Sequence, residues 1–151
     1  MIFSDLLTPE RVYSNVRASS KKRLLELISS ALVKNDPSLD SREVFESLCA
    51  RERLGSTGLG HGVAIPHGRI SGESTVQAVF IRLAKPLAYG AADGEPVDLL
   101  FALVVPEHST SDHLKLLSQI AEQFSDDDLL SELREADDNT EILERLSGNQ
   151  H

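Results

Sequence analysis

The sequence predicts an α/β domain in which a mixed β-sheet is flanked by helices on both faces, a three-layer sandwich. Three observations predict it. Helical spacing of apolar residues opens the chain, from Ser20 to Lys34 and again from Asp40 to Arg53, and returns from Ser111 to Leu146. Strand-like segments fill the middle. One of them, Val97 to Val105, is almost continuously apolar, the pattern of a strand buried on both faces. The chain has 151 residues, 40% of them hydrophobic, so residues 1–151 are read as one domain. A chain of that length buries about 70% of its unfolded surface.

Each element has a local reason. Ser20 can cap a first helix running to about Lys34, with Leu24, Leu27, Ile28, Ala31 and Leu32 on one face. Asp40 or Ser41 can cap a second, with Val44, Phe45, Leu48 and Cys49 inward. Gly55 stands where a helix-terminating glycine belongs. Val63 to Pro66 reads as a short strand, and Thr75 to Leu83 as a longer one. Pro86 to Pro96 collects turn residues, Asp93-Gly94 among them, and is assigned a turn with an edge hairpin. After the apolar strand, Ser111 or Asp112 can cap a helix with Leu114, Leu117, Ile120, Ala121 and Phe124 inward. Two further helices are expected near Asp127 to Ala136 and Asn139 to Leu146.

Charge and cysteine content exclude several functions. The net charge is -9, yet 12 of the 24 acidic side chains and only 3 of the 15 basic ones lie from Glu107 onward. The acidity therefore belongs to the C-terminal helices. It forms a solvated face or a docking surface for a basic partner. Nucleic acid is not an expected ligand, because phosphate backbones demand basic patches. No apolar run approaches the roughly 20 residues of a membrane span, and no basic-then-apolar leader opens the chain. The single cysteine, Cys49, rules out an internal disulfide and suits a reducing cytoplasm, which is the expected location.

The chemistry concentrates between Arg51 and Gly68. Gly55, Gly58, Gly60 and Gly62 fall within eight residues. A chain gives up that much backbone freedom where its own amides come close to something, and an anion is the expected visitor. His67 follows Pro66, whose fixed φ and missing N–H end the strand and present the imidazole at its edge. Near neutral pH such a ring offers a nitrogen nucleophile. His113 occupies the first turn of the helix after the apolar strand, where unpaired amides and the helix dipole favour anions. If the two strands are parallel neighbours, His67 and His113 meet beyond their carboxyl ends. Arg51, in the last turn of the second helix, can neutralise an anion, with Arg53 an equal candidate by periodicity. Ser56 and Thr57 add hydroxyls, and Gly58 an amide, as a phosphate-binding loop. Phosphoryl transfer suits this set: an in-line nucleophile, cationic and hydrogen-bonding support, and little acid–base machinery.

Rival motifs fail on inspection. Gly55 and Gly60 have the spacing of a phosphate loop, but His61 replaces its lysine. Gly58, Gly60 and Gly62 do not make the dinucleotide fingerprint. His61 and His67 lack the carboxylate pattern of a hydrolytic metal, so neither metal nor cofactor is expected. His61 is read as a loop residue, His108 as a surface residue and His151 as a disordered terminus.

The stretches Arg51-Glu52, Gly55-Ser56-Thr57-Gly58, Ala64-Ile65-Pro66-His67-Gly68, Pro96-Val97-Asp98-Leu99-Leu100-Phe101-Ala102-Leu103 and Asp112-His113-Leu114 resemble the EIIA component of the bacterial phosphoenolpyruvate-dependent phosphotransferase system, mannitol/fructose class. Ser20-Lys21-Lys22-Arg23 is most similar to its nitrogen-regulatory branch. The resemblance implies that His67 carries the phosphoryl group on Nε2, supported by His113 and Arg51, which settles Arg51 over Arg53. It implies a phosphocarrier, a phosphohistidine intermediate of a transferase. Its donor would be a small HPr-like carrier, NPr in the nitrogen branch. Downstream it would meet regulatory partners or, in a sugar transporter, an EIIB domain. A module that binds partners without being modified is the non-enzyme alternative.

Overall fold

The computed structural model describes residues 2–72, 75–108 and 110–148. The expectation placed on His151 lies outside them. Its elements are α1 (Ile2–Leu6), a 3-10 turn at Pro9–Arg11, β1 (Val12–Val16), α2 (Lys21–Asn35), α3 (Ser41–Arg53), β2 (Gly58–Gly60), β3 (Val63–Ala64), β4 (His67–Ile70), β5 (Gln77–Leu87), β6 (Val97–Pro106), α4 (Thr110–Gln123), α5 (Asp127–Glu135) and α6 (Asn139–Gly148).

The sheet is mixed. β6 is its spine: β5 runs antiparallel along one side, from Gln77 opposite Val104 to Leu87 opposite Val97. β3 and β4 lie parallel to β6 in succession on the other side. β1 is the edge beyond β5, parallel to it, and β2 closes the opposite edge antiparallel to β3. Because β6 is covered on both faces, its side chains divide between two cores without polar alternation. Leu99, Phe101, Leu103 and Val105 join Phe3, Ile120, Phe124, Leu133 and Ile142 beneath α1 and α4–α6. Leu100, Ala102 and Val104 join Leu24, Ile28, Val44 and Leu48 beneath α2 and α3. Phe124 anchors the first core, its ring 5.3 Å from Phe3 and 5.9 Å from Phe101.

The helix starts have local causes. Ser20 caps α2 by accepting from the Arg23 amide, and Asp40 caps α3 by accepting from the amides of Arg42 and Glu43. Asp126 caps α5 in the same way. Ser111 and Asp112 do not cap α4, which already begins at Thr110. Leu114, expected inward, is 58% exposed. The segment between β5 and β6 forms no separate edge hairpin; it is the connection of the β5–β6 pair itself. Val63 to Pro66 is not one strand. β3 stops at Ala64, and a new strand opens at His67, because Pro66 has no N–H to give the ladder. Each strand then pairs with a different stretch of β6, and Pro66 keeps only its carbonyl bond from the Leu103 amide at 3.1 Å.

Gly68 lets β4 sit directly on α3. A Cβ there would overlap Ser47 Oγ, which donates to the Arg69 carbonyl at 2.7 Å. Gly68→Ala is therefore expected to lower stability by about 1–3 kcal/mol. The check is a reduced urea midpoint at unchanged slope; an unaltered midpoint would show that α3 yields freely.

Candidate functional site

Strand alternation decides where the imidazole goes. Along β4, Gly68 and Ile70 are buried toward α2 and α3, so His67 and Arg69 project to the opposite face. There His67 lines a cavity of about 300 Å³ with Arg51 from the end of α3, Ser56, Thr57, Gly58 and Leu59 from the glycine segment, Ile65 from the strand break, and residues of α4. His67 pairs with Leu103, three residues short of the end of β6. The site thus opens beside the sheet at the β3–β4 break, not beyond the carboxyl ends of the strands. The reason is the same missing amide at Pro66, which kinks the chain rather than ending it.

The break also fixes the ring. His67 Nδ1 lies 2.9 Å from the Ile65 carbonyl oxygen. A carbonyl only accepts, so Nδ1 carries the hydrogen and Nε2 keeps its lone pair. Burial holds the His67 pKa below the ordinary histidine value, with the Arg51 charge acting in the same direction and the Ile65 carbonyl and Glu52 opposing. The ring is neutral at pH 7.

Arg51 spends one N–H on the Gly55 carbonyl, at 2.9 Å from Nη1, which ties the end of α3 to the glycine segment. A guanidinium has further donors to offer. Arg53 does not line the cavity. His113 is buried at the start of α4, whose Leu114, Leu117, Ser118 and Ala121 form the cavity wall, and is not itself among the lining residues. Its Nδ1 has no hydrogen-bond partner among the described residues. His61 lies at the β2–β3 turn with φ +57, its amide bound to Asp93 and its carbonyl to Arg134. Together with Gly62 at φ +82 it supplies the two positive φ values that a tight hairpin turn of this hand requires. Among the described residues no cluster of three or more histidine, cysteine or acidic side chains could hold a metal, and no helix is long and apolar enough to cross a membrane.

Beneath the loop lies a group that sequence reasoning missed. The Glu52 carboxylate accepts from the Thr57 amide at 3.2 Å, from the Thr57 hydroxyl and from the Tyr89 hydroxyl at 3.0 Å, and pairs with Lys21 Nζ at 2.8 Å. The Tyr89 phenol is held far above its ordinary pKa, first by burial and then by the Glu52 charge, so it remains a donor. Thr57 thus turns both of its donors away from the cavity. The Gly58 amide is occupied by Ser56 Oγ at 3.0 Å. A Cβ on Gly58 would come within 2.6 Å of Ala91 Cβ, so this glycine serves a close approach of two chain segments. No spacing rule links Glu52 to Tyr89, 37 residues on, so only the fold brings them together.

The chain belongs to the family described as the phosphoenolpyruvate-dependent sugar phosphotransferase system, EIIA 2, whose model matches residues 5–149. It is 49% identical over 133 residues to the nitrogen regulatory protein of Pseudomonas aeruginosa, covering 87% of this chain and 86% of that one. The crystal structure of nitrogen regulatory protein IIA-Ntr from Neisseria meningitidis superposes with a TM-score of 0.90 at 40% identity, covering 97% and 99% of the two chains. The fold also matches the Escherichia coli enzyme IIAMTL in its complex with phosphorylated enzyme IIBMTL, with a TM-score of 0.77 at 19% identity over 94% and 97%.

The depressed His67 pKa has two consequences. Between that pKa and the ordinary value of 6.5 the unfolded chain holds a proton that the folded chain has released. Stability from this group is therefore complete above pH 6.5 and is lost as pH falls through the folded pKa. Imidazole resonances followed by NMR should show His67 titrating below 6.5; a midpoint at or above that value would contradict the assignment.

Proposed function

We propose that this chain is a phosphocarrier that accepts a phosphoryl group on His67 Nε2 from a phosphohistidine carrier of the HPr or NPr type, and that its phosphorylation state regulates partner proteins. The observation that carries the reading is the 2.9 Å contact from His67 Nδ1 to the Ile65 carbonyl. It commits one ring nitrogen to the backbone and leaves the other as a nucleophile. In the transfer, Nε2 forms a bond to phosphorus while the P–N bond of the donor breaks, and the bonding pair returns to the donor imidazole. Arg51 has donors left for the phosphoryl oxygens, whereas the Ser56 hydroxyl, on the cavity wall, donates to the Tyr89 carbonyl at 3.4 Å and accepts from the Gly58 amide. His113, buried at the start of the helix that walls the cavity, is assigned a supporting role through its unpartnered Nδ1. Thr57 and Gly58 shape the loop rather than donate to the anion, because their donors are already engaged.

Regulation is favoured over sugar transport by the nitrogen regulatory relatives, at 49% identity, against 27% to the fructose-specific EIIABC component of Bacillus subtilis. A dianionic phosphoryl group changes the local charge by up to about -2, enough for a partner touching the rim of the cavity to sense. An EIIB domain is the corresponding recipient if the group is passed on. A cytoplasmic location accompanies this reading.

Incubation with phosphoenolpyruvate, enzyme I and the carrier should add one phosphoryl group by mass, and none to His67→Ala. A wild-type chain that stays unmodified would leave an unmodified binding module as the better account. His113→Ala should fold normally and accept phosphate on the order of 10²-fold more slowly. Equal rates would remove His113 from the site.

A further inference from the structure

Three basic residues open α2, where the helix dipole disfavours cations. Two of them, Lys22 and Arg23, are exposed. Lys21 reaches inward instead. Its Nζ lies 2.8 Å from Glu52 Oε1, 3.1 Å from the Tyr89 carbonyl oxygen and 4.2 Å from the centre of the Tyr89 ring. The Glu52 side chain is 6% exposed, so water does little to screen it.

That carboxylate sets two demands against each other. It shapes the loop by taking both donors of Thr57. Yet its charge reaches the His67 imidazole, where it opposes Arg51 on its own helix and Arg69 on β4. A field that favours a positive ring disfavours a phosphoryl dianion at the same place. Thr57, which Glu52 holds, lines the same cavity as His67, so the buried carboxylate stands one residue behind that cavity and needs a counter-charge from the side away from it. Lys21 is not among the residues that line the cavity.

We infer that Lys21 is a charge-masking positioning residue for phosphoryl transfer at His67: it neutralises Glu52, so that the carboxylate holds the loop without repelling the incoming group. The inference rests on the acceptor reading of His67. Lys21 makes and breaks no bond in the transfer.

Single-turnover transfer from the phosphorylated HPr-type carrier to the full chain tests it, together with the His67 titration followed by NMR. Lys21→Met leaves Glu52 uncompensated. Transfer should slow by at least about tenfold, and the imidazole should titrate at higher pH than in the wild type. The neutral pair K21M/E52Q should regain most of the lost rate and bring the titration back, and K21R should also recover it. Should K21M melt too low for assay, K21Q carries the same comparison. A Lys21 that only braces the structure gives a different pattern, with the double variant no faster than K21M and the titration unmoved. Either result overturns the inference. A wild-type chain that transfers, with K21M equally fast, overturns the masking alone. A wild-type chain that accepts no phosphoryl group overturns the acceptor reading and the masking with it.

Discussion

Glu52 sits with 6% of its side chain exposed, a position in which an unpaired carboxylate would cost several kcal/mol. Four groups from three other parts of the chain meet that cost: Lys21 at the start of α2, the amide and hydroxyl of Thr57, and the hydroxyl of Tyr89 beyond β5. Because Glu52 lies in the last turn of α3, the arrangement joins both helices of one layer to the loop in front of the histidine. Breaking such a cluster by removing one partner is severe, since the remaining charge stays buried. The loop is thus held in shape before any ligand arrives, as the proposed transfer requires when the protein supplies mainly position and electrostatics.

The loop is held at its far end too. Arg134 of α5 grips Asp98 of β6 through Nε and Nη2, both at 2.9 Å, and its Nη2 also donates to the His61 carbonyl at 2.6 Å. Gly62 leaves room for this, because a Cβ there would overlap the Arg134 guanidinium. Both helical layers therefore place charged anchors on the glycine segment, Arg51 and Glu52 from α3 and Arg134 from α5.

Much of this was legible in the sequence because its signals are local. Ser20 and Asp40 announce their helices, since a cap needs only a side-chain oxygen and the next turn's amides. Val97 to Val105 reads as a buried strand from composition alone, and His67 stands out beside the glycines, whereas Arg51 and Arg53 stay equal until the family resemblance chooses between them. The missed elements carry only weak signals of their own. β1 is a half-buried edge whose parallel neighbour, β5, lies more than 60 residues on, so Val12–Val16 shows no clean alternation. β2 consists of Gly-Leu-Gly, a poor strand by propensity, and exists through the tight turn at His61 and Gly62. The expectation that Val63 to Pro66 forms one strand read Pro66 as a terminator, whereas β6 is long enough to pair on either side of it. The first turn of α4 was foreseen for His113, but its burial could not be, because it depends on how α4 settles on the sheet.

The placement of His67 on β4 fixes what kind of encounter this protein can have. Its backbone is hydrogen-bonded into a ladder with the central strand, and its ring is tethered to the carbonyl two residues before it. The ring does not sit on a flexible arm that could swing out to meet a visitor. Under the proposed function, a protein that gives or takes the phosphate must carry its own reactive atom to a stationary target, so the mobility needed for exchange belongs to the visitor. On that reading forward and reverse transfer pass through the same rigid geometry, and the direction of flow follows the relative phosphorylation potentials of the two partners.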